Sequence, residues 1–105
     1  MEFKITVRSY DPQVKFEIAQ AQIEGVSIKR DTKIREIFPE PIDFFVYIGE
    51  HVVLPIAVSL LARMFYDKLK ERKDNELTIN NISVEINAEK IEQVIINIAK
   101  EEKEK

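Results

Sequence analysis

The stretch Val52–Lys73, VVLPIAVSLLARMFYDKLKERK, decides the fold, because it reads as one continuous helix that begins apolar on nearly every side and ends densely charged. A helix apolar all round has to be covered on more than one face, by its own domain, by another chain or by lipid. Val52, Ile56, Leu60, Phe65 and Leu69 fall near one face, and Leu54, Val58 and Ala62 widen the apolar arc. Pro55 comes early, where its missing amide costs least. Lys68, Lys70, Arg72 and Lys73 load the last turns with cations that suit a helix C-terminus.

Immediately upstream, Phe44-Phe45-Val46-Tyr47-Ile48 is a continuous apolar, β-prone run ending at Gly49, and it reads as a buried central strand. Further back, Phe3, Ile5 and Val7 alternate with polar neighbours over Glu2–Arg8, the period of a half-buried strand. Asp11-Pro12 supplies an N-cap and an N1 residue, and Gly25 stands where a C′ residue would close the helix, so residues 12–24 read as helix. A strand remains the alternative there, because Val14, Phe16 and Ile18 also alternate. Val26-Ser27-Ile28 is a short strand that leads into the charged connection Lys29–Glu40, where Pro39 and Pro41 break any helix.

Downstream, Leu77–Val84 is a hairpin: its Asn80-Asn81 turn tolerates positive φ and sets Leu77, Ile79, Ile82 and Val84 on one face. Asn87 caps a final helix with Ile91, Val94, Ile95 and Ile98 at the i, i+3, i+4, i+7 positions. Residues 101–105 read as a frayed charged tail. The expected fold is α+β in the order β-α-β-β-α-β-β-α: one layer of about five strands with one long apolar helix and two shorter helices packed on it. At 105 residues this is a single domain spanning 1–105.

Composition narrows the function classes. Cysteine is absent, which removes disulfides, thiolate catalysis and cysteine-bound zinc or iron–sulfur clusters. The start MEFKITV lacks the basic and apolar regions of a signal peptide, and a cytoplasmic location is expected. Heavy use of Ile, Lys and Glu resembles the thermophile bias. The net charge of −3 offers no general field for phosphate backbones, so no nucleic-acid partner is expected. Lys29, Arg30, Lys33 and Arg35 form a basic patch, but Asp31 and Glu36 interleave with it and a solvated loop accounts for it.

No constellation rises to a catalytic signature, and the expectation leans against an enzyme. Glu50-His51 is the one pair that suggests acid–base or metal chemistry, yet consecutive helical residues point about 100° apart and no second His or Cys exists to complete a zinc site. Gly25 and Gly49 are isolated, so no phosphate cradle is present, and no cofactor or metal is expected. The apolar run Val52–Ala62 is shorter than the roughly 20 residues that span a bilayer, which argues against membrane insertion.

From FFVYIG at 44–49 through LLARMFYDKLKERKDNELTINNISVEINAEKIEQVIINI at 60–98, the order of apolar helix, basic segment, hairpin and closing helix resembles the effector-associated constant-component domains of prokaryotic conflict systems. Tyr66 stands where that pattern has a tryptophan, and the Asn80-Asn81 turn lacks the expected glycine. The resemblance implies a non-catalytic accessory domain that couples to effector proteins through protein contacts.

Three functional readings follow. The first is a small interaction or accessory domain, self-associating as a homodimer or binding a protein partner, with Phe44, Phe45, Tyr47, Met64, Phe65 and Tyr66 as candidate contact residues. The second is a small-ligand binder or enzyme with a pocket near Glu50, His51 and Tyr47. The third is a membrane-associated component.

Overall fold

Every strand of this chain has a side that must be covered and a side that need not be. In the computed structural model, which describes residues 1–31 and 40–103, β1 (Glu2–Arg8) buries Phe3, Ile5 and Val7 and turns Lys4, Thr6 and Arg8 the other way. The remaining elements are α1 (Pro12–Gln20), β2 (Val26–Arg30), β3 (Ile42–Ile48), α2 (Leu54–Leu69), β4 (Glu76–Ile79), β5 (Ile82–Val84) and α3 (Ala88–Lys103), in the expected α+β order. The five strands form one sheet in the order β2-β3-β1-β4-β5, with every neighbouring pair antiparallel. β1 and β2 are therefore not neighbours, because β3 lies between them.

Cross-strand partners share a face, and the register unites the buried sets. Ile5 lies opposite Phe44 and Ile79, and Val7 opposite Ile42 and Leu77. Over this face pack Val14 and Ile18 of α1, Ala57, Val58, Leu61, Ala62, Phe65 and Leu69 of α2, and Ile91 and Ile95 of α3, which complete one core. Among the described residues, no helix or strand packs on the other face of the sheet. That is the one-sided solution open to antiparallel sheets.

Several boundaries differ from the sequence reading. α1 ends at Gln20, not at residue 24, because Ala21 is extended (φ −63°, ψ 136°). Gly25, at φ 77°, instead occupies a tight turn in which the Val26 amide donates to the Ile23 carbonyl at 3.0 Å. β2 runs on through Lys29 and Arg30. Lys33, Arg35, Glu36 and Pro39 of the basic connection lie outside the described residues.

β3 is not buried on both sides: Phe45 and Tyr47 are 49% and 44% exposed. α2 is shorter than Val52–Lys73 at both ends. Residues 50–52 form a turn, and beyond Leu69 the chain folds back so that the buried Asn75 amide donates to the Leu69 carbonyl at 3.0 Å. One of the carbonyls left open at the helix end is thereby satisfied. α3, at 16 residues, equals α2 in length, so one helix is short and two are long. Glu101–Lys103 of the expected tail continue α3, and residues 104–105 lie outside the described residues.

The hairpin keeps its turn and register, with Asn80 and Asn81 at φ 48° and 67° and Ile79 opposite Ile82. Ile82 is nonetheless 56% exposed, because it begins the edge strand at the rim of the helical layer.

Candidate functional site

A sixteen-residue helix lying on a sheet has more apolar surface than one contact can take. α2 commits Ala57, Val58, Leu61, Ala62, Phe65 and Leu69 to the core. α1 lies alongside it, with Glu17 within 3.6 Å of Lys68, and α3 packs on it as well. Ile56 and Leu60, together with Val53 at the N-cap position, are left facing outward at 60%, 52% and 61% exposure. Their spacing of i, i+3, i+7 places them in one stripe. The stripe floors a shallow groove of about 320 Å³ bounded by Glu24, His51 and Val52.

Gly25 shapes the wall of that groove. Its carbonyl accepts from the Gly49 amide at 2.9 Å, and a Cβ on it would stand 1.9 Å from Val52 Cγ2. No side chain fits between the two loops, so the turn before β2 and the turn before α2 lie directly against each other.

A larger groove, about 650 Å³, lies between the end of α2 and the hairpin and is lined by Tyr66, Lys70, Arg72, Lys73 and Asn75 among others. Its charges are largely engaged. Arg72 donates through Nε and Nη2 to both oxygens of Asp74, at 3.0 and 2.9 Å, and this hydrogen-bonded pair lowers the Asp74 pKa and raises that of Arg72. Lys70 lies 3.6 Å from Asp67 and 5.6 Å above the Tyr66 ring. Such exposed pairs suit a solvated end of the fold.

The second surface is the open face of the sheet. Phe45 lies between Lys29 of β2 and Lys4 of β1, and Tyr47 lies one row along between Ser27 and Glu2. The basic patch expected at residues 29–35 is thus divided: Lys29 points to the open face, whereas Arg30 turns to the helical side and lies 5.9 Å from the Phe16 ring.

The six contact residues named from the sequence scatter among three environments. Phe44 and Phe65 are fully buried and belong to the core, so neither forms a surface contact. Met64 and Tyr66 are half-buried on α2, and Phe45 and Tyr47 stand on the sheet face away from the helices. Of Glu50, His51 and Tyr47, only His51 lines the α2 groove. Among the described residues, no group of three or more His, Cys, Asp or Glu side chains is placed to hold a metal ion, and no helix is long and apolar enough to cross a membrane. The exposed aliphatic row that the sequence reading did not single out is Val53, Ile56 and Leu60. Their signal was the width of the apolar arc, but which part of the arc stays uncovered depends on where α1 and α3 sit.

Fold and surfaces together define a one-sheet α+β domain with two unpartnered faces, a hydrophobic helical stripe and an aromatic sheet face. No protein-family model, curated protein or solved structure matches the chain.

Proposed function

We propose that this protein is a small non-catalytic interaction domain that works through protein contacts made by the outward stripe of α2, with self-association as its first form and the cytoplasm as its location. The observation that carries this reading is the run Val53, Ile56 and Leu60, three large aliphatic side chains more than half exposed between the buried side of α2 and its solvated polar side at Ser59, Arg63 and Asp67. Isolated exposed aliphatics are ordinary, whereas a contiguous row beside a groove is the anatomy of a contact surface. Twofold symmetry is the commonest way for a chain to cover such a patch with its own copy. An accessory domain coupled to an effector, as the sequence resemblance implies, would use the same stripe against a different chain.

The test is light scattering over a dilution series on the wild type and on Ile56→Asp/Leu60→Asp. The wild type should dissociate with dilution, and the variant should be monomeric throughout and melt where the dissociated wild type melts, because both side chains lie outside the core. A wild type that is monomeric at every concentration overturns self-association. A variant that melts well below the dissociated wild type overturns the assignment of the stripe as surface.

A further inference from the structure

We infer that the open face of the sheet binds single-stranded nucleic acid, with Phe45 and Tyr47 each stacking on a base and Lys4 and Lys29 neutralising the phosphates beside them. The two rings sit at alternate positions of β3, on one face and about 7 Å apart along the strand. That separation lets each ring take its own base. Both are exposed on the side of the sheet that the helices do not cover. Base–aromatic stacking needs only an accessible π face and tolerates any base, and sheet aromatics flanked by cations are a known way to hold splayed nucleotides.

Charge favours this occupant over another apolar surface. Lys29, Phe45 and Lys4 form one row across three strands, in which the ring is flanked by a cation on each side. Among the described residues, neither lysine is in an ion pair. The acidic groups of this face are largely committed elsewhere: Glu76 lies 3.7 Å from Arg8, and Asp43, itself buried, accepts from the Thr6 hydroxyl at 2.6 Å. Acidic groups border the row at two places among the described residues: Glu2 lies opposite Tyr47, and Asp31 lies opposite Asp43 at the end of β2. The net charge of −3 belongs to the whole chain and says little about this row, since interactions between exposed charges fade over about 8–10 Å at ordinary ionic strength.

This surface is on the opposite side of the sheet from the α2 stripe, so its test stands or falls separately from self-association. The probes are fluorescein-labelled eight-residue oligothymidine and oligouridine, titrated with the intact protein at low salt and read by anisotropy. Both should bind, and a duplex of equal length should bind much more weakly because its bases are not free to stack. Phe45→Leu and Tyr47→Leu keep apolar bulk on the strand while removing the π face. Each should weaken binding by about tenfold or more and leave the melting temperature near that of the wild type. Lys4→Gln and Lys29→Gln should each reduce the slope of log affinity against log salt by about 0.7. Absence of binding by the wild type, equal binding of the duplex, or leucine variants that bind like the wild type would each overturn the inference.

Discussion

Replacing Gly25 with alanine should cost this domain a large part of its stability, and the cost can be worked from two independent features. The residue sits at φ 77°, in the left-handed region that an L side chain enters at about 1–2 kcal/mol. Its new Cβ would also stand 1.9 Å from Val52 Cγ2 and 3.2 Å from Val52 Cβ. Val52 must then move by more than 1 Å or leave its preferred rotamer, which in a packed setting costs about 1–3 kcal/mol. Reduced freedom of the unfolded chain returns about 0.4–1 kcal/mol. The net loss is about 1–4.6 kcal/mol, against about 5–15 kcal/mol for a typical domain. For a chain of this size, at about 4–8 °C per kcal/mol, it should lower the melting temperature by about 4–37 °C. Urea denaturation followed by circular dichroism gives the free energy, and a double-mutant cycle with Val52→Ala separates the two terms. The Val52→Ala background removes the 1.9 Å overlap but leaves the backbone conformation unchanged. Gly25→Ala should therefore cost at least about 1 kcal/mol less there, retaining the conformational part. A Gly25→Ala variant within about 0.5 kcal/mol of wild type, or a cycle additive within about 0.3 kcal/mol, would refute the reasoning.

Three further outcomes are expected. Asn87→Ala should destabilise by about 1 kcal/mol in the same denaturation assay, because the Asn87 side chain accepts from the Glu89 and Lys90 amides at 2.9 and 3.1 Å and nothing else there caps α3. Asn81→Gly should raise the melting temperature, by about 0.5 kcal/mol of added stability, since Asn-Gly meets the positive φ of both turn positions better than Asn-Asn, while Asn80 is left to accept from the Lys4 amide. The Asp74 carboxyl, held down chiefly by its hydrogen bond from Arg72, should titrate below the ordinary aspartate range in a carbon-detected NMR titration. Because its folded-state pKa is depressed, its contribution is present above the unfolded-state value and fades as pH falls through the folded one. The pair is exposed, so Asp74→Asn should move the acid limb of stability only slightly.

The element order was legible in the sequence because each element carries a local signature. Phe3, Ile5 and Val7 alternate, Asp11-Pro12 starts a helix, Asn80-Asn81 makes a turn, and Ile91, Val94, Ile95 and Ile98 keep helical spacing. Helix ends were less legible. Gly25 looks like a helix stop in sequence, but its positive φ serves the turn packed against Val52, five residues beyond the true end of α1. The C-terminus of α2 is likewise fixed by Asn75, which returns from beyond the helix to cap Leu69.

The surfaces divide in the same way. That α2 has too wide an apolar arc for one contact is a property of its residues, and the sequence alone determined it. Which residues of the arc remain outside was decided by tertiary packing, because the sheet, α1 and α3 take Val58, Leu61 and Phe65 and leave Val53, Ile56 and Leu60. Phe44 and Phe45 are adjacent and chemically identical, yet one is in the core and the other on an open face, since successive strand residues point to opposite sides and only one side is covered. Lys4 and Lys29 stand 25 positions apart in the chain and flank a single ring only because β3 is inserted between β1 and β2. Strand order is set by how the whole apolar set closes into one core, a non-local condition that no local stretch of sequence records.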